Sequence, residues 1–111
     1  MLLTKEAILA AQDLRCIDVD VPEWGGPVRL RPLTGAERER LQERVKKDTG
    51  KFSAWLLSES IVGEDGNRIF SQADIDSLLT KNGAVLDRLA LRCTEINGLR
   101  PDSVEKAEKN S

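Results

Sequence analysis

With no histidine among its 111 residues, the chain lacks the imidazole on which the common nucleophile and base pairs depend. Two cysteines, Cys16 and Cys93, sit far apart and match no CxxC or ligand-spaced pattern. Neither lies in an electropositive setting, so they read as reduced, partly buried thiols; a disulfide between them stays open, although nothing else indicates an oxidising compartment. Asp18 and Asp20 place two carboxylates on one strand face, which is too few hard ligands for a divalent cation, and facing arginines would compete with it. Asp65-Gly66-Asn67 has the look of a calcium loop, but with Gly66 at the sixth position Ile61 falls first and Gln72 last, where acidic ligands are required. No spacing singles out a Ser/Lys or paired-carboxylate site. The residues therefore predict no catalytic group, no metal and no cofactor, and direct attention to binding.

For binding, Trp24 is the most informative side chain. It sits in the turn Pro22-Glu23-Trp24-Gly25-Gly26-Pro27, where a large aromatic is either folded back over a hairpin or left outside as an anchor for a partner, and the sequence leaves both open. Trp24, Gly25 and the nearby Arg29 and Arg31 are the candidate protein-binding residues. Trp55 lies in an apolar stripe and is assigned to the core. The run from Glu37-Arg38-Glu39-Arg40 to Lys46-Lys47 alternates in sign, so a phosphate would meet both charges, and a solvated or protein-facing helix is expected.

These residues must be positioned by short elements. Thr4 can cap a helix over about residues 4 to 12 with Leu3, Ala7, Ile8 and Ala11 at helical spacing. Ile17, Val19 and Val21 alternate with Asp18 and Asp20 as in a half-buried strand, and Val28 and Leu30 alternate with Arg29 and Arg31. An antiparallel hairpin would set the two arginines near the two aspartates on its outer face. Thr34-Gly35-Ala36-Glu37 has the form of a capping box, opening a surface helix to about Lys47 with Leu41 and Val45 as its thin stripe and an i,i+4 pair from Glu43 to Lys47. After Asp48-Thr49-Gly50, a buried third helix should carry Phe52, Ala54, Trp55, Leu56, Leu57, Ile61 and Val62. Glu64 to Asn67 forms a turn, with Arg68-Ile69-Phe70 as a short strand or extended link. Ser71 can cap a helix bearing Ile75, Leu78 and Leu79. Asn82-Gly83 precedes a longer one with Val85, Leu86, Leu89, Ala90, Cys93 and Ile96 on one side and Gly98 at its end. Pro101 can open a last helix that has too few apolar residues to hold, leaving a frayed polar tail over about 101–111.

The fold class expected is α+β: one mainly helical domain over residues 1–111, with about five helices and an N-terminal antiparallel β-hairpin. A chain this long buries roughly two-thirds of its unfolded surface, enough for one core but tight for a core plus a deep cleft. With 40% apolar and 32% charged residues the chain should fold. A net charge of -2, with 17 basic and 19 acidic residues spread along the chain, gives no broad positive field for nucleic acid. No leader and no apolar run of about 20 residues is evident, so a cytosolic protein without a membrane partner is expected.

In order, Trp24 to Arg38, Val62 to Ser71, and Ala90 to Val104 with its break at Asn97-Gly98-Leu99-Arg100-Pro101 resemble the tail assembly chaperones of siphophages and related prophages. Arg100 departs from the pattern, where a Ser or Thr cap before the proline is expected; this touches only the last helix. The resemblance implies a non-catalytic protein of the host cell cytoplasm that binds the tape measure protein, recruits the major tail protein and is absent from the mature virion. It also implies a longer form made by ribosomal frameshifting, and the ending Glu108-Lys109-Asn110 is compatible with an A-rich slippery sequence. Self-association is left open. The alternatives are a structural tail or head-completion protein and a small host protein-binding regulator.

Overall fold

A computed structural model describes residues 1–47 and 50–99. The last helix expected after Pro101, and Arg100 itself, fall outside them. Within them the chain runs α1 (Lys5–Ala10), β1 (Ile17–Val21), β2 (Gly26–Leu30), α2 (Gly35–Lys47), α3 (Phe52–Ser60), β3 (Ile61–Val62), α4 (Ile75–Leu78) and α5 (Gly83–Ile96). Short 3-10 turns at Pro22–Trp24 and Gln72–Asp74 complete it. The expected α+β class holds.

Local chemistry sets most boundaries. Thr4 Oγ1 accepts from the Ala7 amide and starts α1. At α2 the capping box closes in both directions: Glu37 N–H donates to Thr34 Oγ1, and Thr34 N–H donates to Glu37 Oε1. Ser71 and Asp74 form a second box, and Asn82 Oδ1 accepts from the Ala84 and Val85 amides at the start of α5. α5 stops at Ile96 and Gly98 follows its cap, with a φ of +66° that favours glycine, Gly98 N–H donating to Glu95 O and Leu99 N–H to Thr94 O.

β1 and β2 pair antiparallel, with Ile17 opposite Leu30, Asp18 opposite Arg29 and Val19 opposite Val28. The period-two pattern places Val21 and Leu30 wholly inside, Ile17, Val19 and Val28 against the same core, and Asp18 and Asp20 outside. The expected third helix is shorter than its apolar run. It stops at Ser60, and Ile61 and Val62 form β3, pairing with Leu30 and Arg29 to make a three-stranded sheet in the order β1-β2-β3. The β-branched side chains suit a strand, and β2 otherwise presents an unpaired edge; Arg31 N–H donating to Ser60 O extends the pairing by one rung. Arg68 then bridges Val62, so the expected extended link at 68–70 begins on the sheet.

α3 is the centre of the molecule. From Ala54 to Ser60 every residue is buried, and α2, α4 and α5 pack around it. The surface helix α2 contributes Leu41 and Val45, and its Glu43 lies 4.0 Å from Lys46, an i,i+3 pair in place of the i,i+4 one anticipated. α4 contributes Ile75 and Leu78, while Leu79 caps it half-exposed instead of facing in. Val85, Leu86, Leu89, Ala90 and Cys93 fill the inner side of α5, as the spacing predicts.

Asn97 joins the two ends of this assembly. Its Oδ1 accepts from the Leu33 amide at 2.7 Å, 64 positions away, and its Nδ2 donates to Cys93 O at 2.7 Å. Asn97→Ala removes both bonds and leaves the partly buried Leu33 amide unpaired, at a cost of about 1–3 kcal/mol. A urea titration should show a lower midpoint with an unchanged slope; an unchanged midpoint contradicts this role.

Candidate protein-binding surface

Two exposed regions stand out, and both begin in local sequence. The first is the hairpin turn. Pro22 opens a 3-10 turn that Gly25 closes at φ +85°, a conformation that strains residues with a Cβ. Glu23 fixes this turn to α5 through two bonds from Arg88, at 2.8 and 3.0 Å. The Arg88 guanidinium holds the Glu23 carboxyl at about 2, well below the ordinary range. With the turn pinned, Trp24 packs against the core while part of it stays open to solvent. Trp24 is thus folded partly back over the hairpin, with the rest of its side chain exposed.

The candidate arginines are placed differently from expectation. Asp18 meets Arg29 through two bonds, 2.7 and 3.1 Å, and the guanidinium holds its carboxyl below the usual value. Asp20, however, stands opposite Pro27, because the turn spends four residues between the strands and shifts the register. Arg31 lies past the far end of β2 and bonds Glu37 in the α2 capping box. Burial works against the Glu37 charge, but the Thr34 amide and the Arg31 guanidinium outweigh it and hold the carboxyl below its ordinary value. Trp24 and Gly25 therefore share one end of the hairpin. Arg29 stands on its outer face, and Arg31 is roughly 15 Å from the turn at about 3.3 Å per strand residue. These four residues do not form one cluster.

The second region is the N-terminus. None of the residues of α1 is buried, and Met1, Leu2, Leu3, Ile8 and Leu9 are all largely exposed. Ala11 to Cys16, which connect α1 to β1, are exposed along their whole length. The sequence showed the stripe on α1; it did not show that the stripe faces solvent. Five large apolar side chains left exposed within the first nine residues supply apolar area of the sort that marks an interaction site.

The chemistry available elsewhere is limited. Cys93 is buried, and burial pushes its thiol up to about 11, where it is protonated and unreactive at neutral pH. Cys16 is exposed, against the expectation of partial burial, and both thiols are free. Among the described residues no three His, Cys, Asp or Glu side chains gather to hold a metal. Asp65 accepts from the Asn67 amide across a turn with Gly66 at φ +81°, the geometry of a tight turn. No described helix is long and apolar enough to cross a membrane.

Two comparisons with known proteins found a match. The model of a protein family described as phage tail assembly chaperone matches residues 3–110. A solved structure, that of the tail assembly chaperone of bacteriophage HK97, resembles this one with a TM-score of 0.63 and 26% identity, covering 82% of this chain and 90% of that one. No curated protein matches.

Proposed function

The chain belongs to the phage tail assembly chaperone family, and from that premise we propose that it binds the tape measure protein and recruits the major tail protein during assembly, without catalysis. The observation that carries this is the exposed apolar N-terminus, Met1 to Leu3 with Ile8 and Leu9, held outside a complete core. A long helical client exposes apolar surface that aggregates unless it is covered. Each of these side chains gains about 1.5–3 kcal/mol when fully buried, and much of that sum is offset by ordering a helix of six residues that is marginal alone. The balance suits a contact that forms and releases. The exposed part of Trp24 at the hairpin turn, with Arg29 on the outer face of the same hairpin, would contact the second protein, while Arg31 serves the α2 capping box. A longer frameshifted form with the same N-terminus would present the same surface in the host cytoplasm.

Mass spectrometry of infected cells and of purified particles tests this. The chain and a longer product sharing its N-terminus should appear in the cells during assembly and be missing from the particles. Stoichiometric recovery in the particles would make it a structural tail component instead, and a single species in the cells would remove the longer form.

A further inference from the structure

Further along α2 from its capping box lies a small cleft of about 220 Å³ lined by Arg40, Arg44, Trp55, Glu59, Arg68 and Gln72. Glu59 forms its floor. Its side chain is only 7% exposed, and it accepts from Arg40 through Nε at 2.9 Å and Nη2 at 2.8 Å, and from Arg68 Nη1 at 3.0 Å. Arg40 and Arg68 themselves remain 40% exposed. Arg44 lies with its guanidinium 5.0 Å from the centroid of the Trp55 ring, and among the described residues it meets no carboxylate. The nearby acids are engaged: Glu37 with Arg31 and Thr34, and Asp74 with the Ser71 amide and hydroxyl. Three guanidinium groups thus line the cleft with one buried carboxylate, leaving two positive charges in excess. Trp55, which lines the cleft, is 94% buried, and its indole N–H has no acceptor among the described residues.

We propose that this cleft binds a side-chain carboxylate from an acidic segment of a partner protein. A guanidinium group beside an indole presents paired N–H donors that match the two oxygens of a carboxylate. The floor already shows the match, because Arg40 grips Glu59 in that bidentate way. The size of the cleft admits one side chain, and the overall charge of -2 disfavours an extended polyanion such as nucleic acid. The site is on α2, α3 and the segment from Arg68 to Gln72, apart from the N-terminal apolar residues, and stands whether or not those residues bind the tape measure protein.

The probe is the peptide Ac-Ala-Glu-Ala-Glu-Ala-NH2, titrated into the full ¹⁵N-labelled chain while the Trp55 indole N–H signal is followed. A Trp24→Phe variant assigns the two indole signals. The expected result is a saturable shift of the Trp55 signal, a dissociation constant at least tenfold weaker in Arg44→Gln, and no shift with the Gln-for-Glu peptide. Arg44→Gln should keep the rest of the spectrum, since the side chain makes no hydrogen bond or ion pair among the described residues. No saturable shift with the acidic peptide overturns the proposal. So does inorganic phosphate binding as tightly as the peptide, or a peptide affinity that Arg44→Gln leaves unchanged.

Discussion

Replacing Ile8 and Leu9 together by glutamine should lower the affinity for the tape measure protein at least tenfold while leaving the melting temperature of the chain within about 2 °C of its original value. The two halves of this expectation have separate causes. Neither side chain is buried in the domain, so its removal opens no cavity, and surface changes of this kind usually fall within about 0.5 kcal/mol. Glutamine also keeps a helix propensity close to that of leucine, so α1 retains its Thr4 cap and its shape. At an interface the same change forfeits the burial of two large apolar groups, and about 1.4 kcal/mol of that loss is already tenfold in affinity. Co-purification with tagged tape measure protein, read beside thermal melts, separates the two. Undiminished binding would show that the exposed apolar end is not where the client sits.

The second large effect lies in the core, and two leucines on one helix make it sharp. Leu89 is 0% exposed on the inner side of α5 against α3, whereas Leu91, two residues on, is 55% exposed. Leu89→Ala should destabilise the chain by about 2–5 kcal/mol through lost transfer energy and the cavity left behind. Against a total of about 5–15 kcal/mol for a domain, this lowers the melting temperature by roughly 10 °C or more. Leu91→Ala should change it by no more than about 0.5 kcal/mol. Equal effects at the two positions would mean that α5 does not dock on α3 in this register.

What the sequence made legible follows the range of the interaction. The Thr34–Glu37 box, the Asn82 cap and the Gly98 terminus are written within a few residues, and each was readable as a boundary. The apolar stripe of α5 was equally plain, because a period near 3.6 over fourteen residues leaves little ambiguity. Ile61 and Val62 were misassigned to a helix because their strand exists only by pairing with β2, some 30 positions earlier. The same limit hid Glu59, which sits among Ser58 and Ser60 like part of a polar face yet is buried. Its burial is made possible by Arg40 and Arg68, residues 19 positions before and 9 after it.

The candidate site shows a further limit. Trp24 and Gly25 were identified from turn chemistry, and the structure places both at the hairpin end. The pairing of Arg31 with a strand aspartate was not realised, because a four-residue turn shifts the register and sends Arg31 to Glu37. The apolar end could be seen as a stripe but not as a surface, since a pattern shows which residues would be buried together and not whether a partner within the domain covers them.

The central claim is that this chain keeps the tape measure protein soluble by binding it. The most direct test expresses the tape measure protein of the same phage in bacteria with and without this chain and measures the fraction in the supernatant after high-speed centrifugation. Binding of the kind described here predicts that most of the tape measure protein is soluble, and carries this chain with it, only when the two are made together. An equal soluble fraction in both cultures, with no chain bound, would contradict it.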